Sequence, residues 1–512
     1  MIVKNGMKNK KTCPFIGIFV TLLASLACQL TSPTPASWSG TPTARALGAT
    51  NTTVARTLQA ALENVTPLPP SPTVTIQKAT PQPEVTRVVD GPWLVYLSPD
   101  GNGLSAFDIQ TETTLTIALP PPIYIDDLYS GLSPQGDQLL IRAGSPLNAD
   151  ELALYQIDFP TLQVTKITPL MSLVLQRRIV NQVGTLAFDT LEIVTRPDGI
   201  AWSPDGRFLA FTAALDNDTS DLYVLDTLND RIDRINGLSS HVATPFWALD
   251  SSWLISQELG RDGENWRATA VTGLSVPAFG DQNVLYLPDQ DSQEEEFLGW
   301  INADTFISFA NTQTGLRKIQ QVTTEPPEAI TIFAGIFTGA AYNPDEQVLA
   351  FFVDNQEANL QNLVAGIYII EPDQSDFTLQ RAGNWDHLKW DQSGLFLARG
   401  VQGVLAFSAQ GQGFSLPNEA DLRISPDGQW MVGWGDGLGS QSGARLYQTT
   451  SSFPLQTISD QSVEAILWQP DSRSFFIFAG RDLFLVEFPQ LNLQPIQIGF
   501  PEDGQFDFIY VD

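Results

Sequence analysis

The sequence predicts an all-β fold, and three observations predict it: a proline-aspartate corner that returns along the chain, short aromatic and β-branched runs on either side of it, and a composition rich in turn formers. Among the 512 residues, 16% are charged, with 35 Pro and 38 Gly. That balance suits many short strands joined by turns better than a helical bundle. The best-formed stretch is "AWSPDGRFLAF" from Ala201 to Phe211, followed by "DLYVLD" from Asp221 to Asp226. In "SPDG" the proline presets φ at the second position of a type I turn, the aspartate bonds local backbone, and glycine is favoured at the fourth position. This is a hairpin corner between an apolar strand ending in Trp202 and a second strand "RFLAF".

Worn copies follow in order: "LSPDG" from Leu97, "LSPQG" from Leu132, "WALDSSWLI" from Trp247, "WINADTFI" from Trp300, "YNPDEQVLAFF" from Tyr342, "WDQSGLFLA" from Trp390, "ISPDGQWMV" from Ile424 and "WQPDSRSFFIF" from Trp468. Most carry a third-strand partner such as "LALYQID" from Leu152 or "GIYIIEP" from Gly366. Their spacing of roughly 34 to 54 residues suits one four-stranded blade of about 40 to 50. The pattern predicts a single β-propeller. Nine copies can be counted, but four to eight blades are typical, so eight are expected within a range of seven to nine. The weak copies between Thr244 and Thr324 would then include a merged blade. The first copy starts at "WLVYL" from Trp93 without a leading strand, and the chain ends in "FDFIYVD" from Phe506. Pairing of these two segments closes the ring and removes its open edges. Tryptophans 202, 247, 300, 390 and 468 share one repeat position, which marks them as packing between blades.

The stretch "WSPDGRFLAF…DLYVLD" resembles the TolB-like, WD-repeat-like propeller family of exported bacterial proteins. The resemblance extends as a repeat pattern over 88–512. It implies a ring of blades around a central channel, a scaffold commonly used to bind proteins or to cap an attached enzyme.

The N-terminus reads as an export signal over 1–27. Lys4, Lys8, Lys10 and Lys11 precede the apolar run "FIGIFVTLLASLA" from Phe15 to Ala27. That run falls short of the roughly 20 residues needed to span a bilayer core. "SLAC", ending at Cys28, resembles the bacterial lipobox, although Ser25 stands where the family has Leu. The resemblance implies acylation of Cys28, with plain secretion as the alternative, and hence a cell-surface or periplasmic lipoprotein held to the membrane by its lipid anchor alone. Cys13 leaves with the signal, so no intramolecular disulfide and no multi-cysteine zinc site is expected. Residues 28–87 are rich in Thr, Pro, Ser and Ala, too poor in apolar groups to offset the entropy of ordering. They read as a tether, with a short helix expected at 51–64 from the spacing of Val54, Leu58 and Leu62.

Charge narrows the partners. With 27 Lys plus Arg against 57 Asp plus Glu, the formal charge is −30, and a nucleic-acid partner is excluded because such binding needs cations that displace counterions. Catalytic signatures are absent: there is no G-x-S-x-G elbow, no phosphate-binding loop, and only His241 and His387 as histidine bases. His241 is expected on a loop entering a blade, and His387 packed beside Trp390. No cofactor is expected, with one exception: Asp216, Asp218 and Asp221 in "DNDTSD" offer oxygen ligands that suit calcium. The stretch from Met171 to Pro197 breaks the periodicity and reads as a long loop carrying Arg177 and Arg178, the candidate binding residues. "DQDSQEEEF" from Asp289 to Phe297 reads as a solvated acidic connection. The expected role is a non-catalytic scaffold, monomeric, for an envelope or extracellular protein, peptide or glycan. The alternative is a hydrolase or lyase acting on extracellular polymer through channel carboxylates.

Overall fold

The computed structural model describes residues 74–75 and 91–511, apart from 148–151, 160, 183–184, 217, 236–239, 263–264, 277–284, 287–291, 313–315, 325, 371–375, 392–393, 417–418, 436–441, 489 and 500–507. The expected export signal at 1–27, Cys28 and the expected helix at 51–64 lie outside the described residues.

Nine antiparallel sheets follow one another along the chain, numbered here as blades 1 to 9. Blade 1 holds Trp93–Leu97, Gly103–Asp108 and Thr113–Ala118, and takes its innermost strand, Phe508–Val511, from the far end of the chain. The pairing runs from Trp93 opposite Val511 to Tyr96 opposite Phe508, so the ring closes as the sequence predicts. Each pair of neighbouring blades shares its own apolar cluster: Val95 and Ile141 between blades 1 and 2, Leu140 and Phe211 between 2 and 3, Phe208 and Leu254 between 3 and 4, Ile255 and Phe306 between 4 and 5. The series continues with Ile307 and Phe351, Phe352 and Phe396, Leu397 and Met431, Val432 and Phe475, and finally Phe476 and Leu94 back to blade 1. A fully buried side chain such as Phe306 or Phe475 contributes roughly 1.5–3 kcal/mol. Because the clusters lie between sheets, no blade completes its core alone.

Nine blades stand where eight are expected, at the top of the range. The stretch expected to hold a merged blade instead forms blade 4, His241–Trp247 to Leu285–Tyr286, and blade 5, Ser292–Trp300 to Pro327–Gly335. Their corners lack the Pro-Asp pair but keep its hydrogen bond. Asp250 Oδ1 accepts from the Ser252 N–H at 3.0 Å and Asn302 Oδ1 from the Asp304 N–H at 2.9 Å, as Asp205 Oδ1 does from Arg207 at 3.1 Å. The carboxylate or amide, rather than the proline, carries the turn.

Corners also join neighbouring blades. Gly206 adopts a left-handed φ of 72° in the blade 3 corner, and Ser251 takes the same place in blade 4 at 64°. The Ser251 hydroxyl accepts the Asp205 N–H at 3.1 Å, and Ser472 of blade 9 accepts the Asp427 N–H of blade 8 at 3.0 Å. The repeat tryptophans lie between blades as predicted. Trp202 Nε1 donates to the Gly131 carbonyl (2.7 Å), Trp247 to Ala201 (3.0 Å) and Trp468 to Arg423 (3.3 Å), each reaching the preceding repeat. Trp300 and Trp390 pack in the corresponding clusters.

Blade 2 is irregular. Only Gln138–Ala143, Ala153–Asp158 and Gln163–Pro169 form its sheet. The inner position is filled by 123–132, tied by single bridges from Ile123 to Ala143 and Leu132 to Leu139, with the short helix α1 (Asp127–Ser130) between them. Two further helices, α2 (Leu173–Val180) and α3 (Leu186–Val194), precede blade 3. They replace the loop expected over Met171 to Pro197. Ser172 caps α2, its hydroxyl accepting the Leu175 N–H, and Leu175, Ile179, Ala187 and Val194 bury against blades 2 and 3. The helical periodicity is legible only once those four are known to be the buried set. Blade 3 (Ile200–Trp202, Phe208–Ala213, Asp221–Asp226, Arg231–Arg234) gains a fifth strand, Val74–Thr75, from the stretch expected to be a tether, paired antiparallel with Ile232 and Arg231.

Candidate functional site

The inner wall at blades 2 and 3 concentrates the unusual chemistry. "PPIYIDDLYSGL" from Pro121 is too proline-rich at its start for a regular strand, so the chain folds into α1 and tucks Asp127 beneath Arg142. Both side chains are fully buried. Arg142 Nε and Nη2 donate to the two carboxylate oxygens at 2.8 and 2.6 Å, and the Arg142 backbone N–H adds a third bond at 2.9 Å. The same guanidinium donates to the carbonyls of Val194 and Arg196, both at 2.6 Å, tying the end of α3 to blade 2. Burial alone would lower the Arg142 pKa, but the Asp127 carboxylate overrides it and holds the guanidinium above its ordinary value.

Beside this buried pair lie the exposed Asp126 and Asp198. Asp198 holds a left-handed φ of 61°, an uncommon conformation for a non-glycine residue. Desolvation pushes its carboxyl pKa up, Arg196 and Arg142 pull it down, and Asp126 pushes it up again, the net being a rise. Two neighbouring carboxyls, one of them biased toward its protonated form, can accept and donate protons. The segment is bound into the ring on both sides: Tyr129 Oη donates to the Phe508 carbonyl of blade 1 at 2.9 Å, and Trp202 of blade 3 bonds Gly131. Neither carboxylate stands out in the sequence; the only local signal is the non-glycine residue of "RPDG" in a left-handed turn.

The predicted site residues are scattered by comparison. Arg177 and Arg178 sit on α2 rather than on a loop. Arg178 pairs with Asp218 at 2.7 Å, and Arg177 is exposed, with no ion pair among the described residues. The three aspartates face arginines: Asp216 and Asp221 each bond Arg234 at 3.0 Å, and Asp218 bonds Arg178. Asp216 also accepts the Tyr223 hydroxyl, and burial together with that bond pushes the Tyr223 pKa up. Among the described residues no group of three or more His, Cys, Asp or Glu side chains is arranged to hold a metal ion. The geometry here is a salt-bridge network across the blade 3 hairpin.

The histidines divide. His241 lies not on an entry loop but in the inner strand of blade 4, which it opens, and is buried; its Nδ1 accepts the Ser220 N–H at 3.1 Å and its ring meets Trp266 edge-on at 5.2 Å. His387 is exposed, its side chain 81% accessible, and does not pack beside Trp390 as expected, because it occupies the solvated side of the inner strand Trp385–Trp390. The acidic run is also corrected. From Ser292 onward it is the inner strand of blade 5 and not a connection. Glu294 pairs with Arg267 and accepts from Asn311 at 3.1 Å, Glu295 is buried, and desolvation with the nearby Glu294 raises the pKa of the exposed Glu296.

The α2–α3 hairpin exposes five large apolar side chains: Leu173 is 65% exposed, Val174 58% and Val180 57%, and Leu186 and Phe188 are exposed on α3. The hairpin is nevertheless firmly seated: Thr190 Oγ1 donates to the Asp218 carbonyl at 2.6 Å, Arg261 of blade 4 pairs with Asp189, and Ile193 packs on Ala243 and Leu259. No helix among the described residues is long and apolar enough to cross a membrane.

No protein-family profile and no curated protein matches this chain. Among solved structures it is similar to a eukaryotic initiation factor, at 13% identity and a TM-score of 0.52 over 82% of this chain and 98% of that one. It is also similar to Porphyromonas gingivalis dipeptidyl peptidase 4, at 13% and 0.44 over 75% of this chain and 64% of that chain's length. A third likeness is to the C-terminal WD40 domain of Sif2, at 12% and 0.37 over 70% and 94%. At such identities the likeness speaks to the fold: an all-β propeller, with WD40 and other propellers as structural neighbours.

Proposed function

We propose that this is an exported, envelope-tethered, TolB-like propeller that acts as a non-catalytic scaffold, with the α2–α3 hairpin as its protein-docking face. The observation that carries the reading is the clustering of Leu173, Val174, Val180, Leu186 and Phe188 as exposed residues on one rigidly held insertion. Several large apolar side chains exposed on one such insertion mark an interaction site. Arg177 within that surface selects the partner's chemistry: an apolar protein segment that supplies an acidic side chain. Anchoring through an acylated Cys28 rests on the "SLAC" sequence and is tested by fatty-acid labelling, which Cys28→Ala should abolish.

The docking reading is tested by placing a photo-crosslinking residue at Val174 in the full-length protein in its own cells. A single adduct is expected that Val180→Glu and Arg177→Glu abolish, and that a crosslinker at the distant exposed Leu455 does not give. No adduct at Val174, or one unaffected by both substitutions, overturns the reading. Flotation of the purified protein with phosphatidylglycerol vesicles through this same face would assign it to lipid instead.

A second reading is favoured by Asp126 and Asp198: a hydrolase or lyase acting on extracellular polymer through inner-wall carboxyls. Turnover in a polysaccharide hydrolysis screen that Asp198→Asn and Asp126→Asn abolish would establish it in place of the scaffold.

A further inference from the structure

Away from α2–α3, the interface between blades 2 and 3 changes character along its length. Leu140 and Leu154 bury against blade 3, but the next residues on that face of blade 2 are polar. In the strand register Gln156 lies opposite Leu140 and Thr165, and Asp158 lies opposite Gln138 and Gln163. Residues directly opposite across strands share a face, so three glutamine amides, a hydroxyl and a carboxylate form two adjoining rows. Blade 3 does not close over them. Between the sheets lies a cleft of about 580 Å³, bounded on the far side by the corner Asp205–Arg207 and by Leu225, Thr227 and Asp230.

Asp158, Thr227 and Asp205 are engaged in the fold, Asp158 accepting the Thr161 hydroxyl at 2.6 Å, but the amides are not. Among the described residues no side-chain hydrogen bond is made by Gln138, Gln156, Gln163 or Thr165, whereas Arg207 is engaged by Asp226 at 3.0 Å. Ile167 and Leu225 supply an apolar floor. The volume falls within the about 300–1,000 Å³ of small-ligand sites, which combine apolar lining with a few convergent polar groups.

We propose that this cleft is a binding site for a neutral sugar. Each amide offers two donors and an acceptor, a set that matches hydroxyls that both give and take hydrogen bonds, and Asp158, whose Oδ2 accepts the Thr161 hydroxyl, offers its other oxygen to a sugar hydroxyl. The apolar floor meets the C–H face of a pyranose ring. Asp158, Asp205 and Asp230 outnumber the single Arg207, which already has its carboxylate, so uronates and phosphates are repelled. The cleft shares no lining residue with the Asp126–Asp198 wall or with the docking face.

The test is calorimetric titration of the full-length protein with maltotriose, cellotriose and chitotriose, and with trigalacturonate as the acidic counterpart. At least one neutral trisaccharide is expected to bind at up to about 10 mM, and to weaken at least tenfold in Gln156→Ala/Gln163→Ala. Gln163→Ala alone, at an exposed position that does not threaten folding, is expected to weaken it about threefold. Gln412→Ala, in a comparable cleft between blades 7 and 8, should leave binding unchanged. Absence of binding by all three neutral sugars, equal binding of trigalacturonate, or affinity unchanged in both Gln163 variants overturns the proposal.

Discussion

Trp247 Nε1 donates a hydrogen bond to the carbonyl oxygen of Ala201 in the preceding blade at 3.0 Å, whereas Trp300, one repeat further on, has no hydrogen-bond partner for its buried Nε1 among the described residues. Trp247→Phe removes this part-buried hydrogen bond and is expected to destabilise by about 1–2 kcal/mol. Trp300→Phe removes no bond and should cost about half as much. Urea unfolding of the two variants side by side checks the ordering.

The serine corners separate strain from bonding. Ser251 holds a left-handed φ and accepts the Asp205 N–H. Ser251→Ala keeps the strain and loses the bond, for an expected loss of about 1 kcal/mol. Ser251→Gly loses the bond but relieves the strain, so its unfolding midpoint should lie between those of wild type and Ser251→Ala. A glycine variant less stable than the alanine variant would contradict this.

Removing Arg142 leaves Asp127 as a buried charge without its partner. Arg142→Met is expected to cost about 3–5 kcal/mol and to raise amide exchange across both 123–132 and 194–199, the two segments the guanidinium joins. Exchange confined to the first segment would show that the bonds to Val194 and Arg196 carry little.

His241 sets a pH dependence. Burial lowers its pKa and Asp189 only partly opposes this, so the net shift is downward. The fold therefore prefers the neutral ring, and the unfolded chain takes up the proton first. Its stabilising contribution is complete above the unfolded pKa of about 6.5 and is lost as pH falls below that value. His241→Asn keeps an acceptor for the Ser220 N–H and removes the titration. The stability difference between wild type and variant should shift against wild type between about pH 7 and pH 5, as read from thermal midpoints at each pH.

The blades themselves were legible because hairpin corners are local chemistry: Pro, Asp and Gly act within four residues, and their copies mark every one of the nine sheets. The blade count was harder, since Asp250 and Asn302 hold their corners without proline and read as decay of the pattern. The inner wall was not legible at all. Asp127 and Arg142 are separated by a segment with no strand period, and nothing local announces that they meet. The run around Glu295 looked solvated because its charge is plain in the sequence while Arg267 and Asn311, which receive it, lie on other strands. His387 misled in the opposite direction: two flanking tryptophans suggested burial, but strand alternation places the imidazole on the solvated side.

Ring closure ties Trp93 to Val511, the two extremes of the folded region. A ribosome releases these residues in order, so the first sheet waits one strand short while about 400 intervening residues are made, a separation that places this contact among the slowest to form. Until then Trp93–Leu97 presents a bare edge, and the protein depends during its own synthesis on whatever shields that edge.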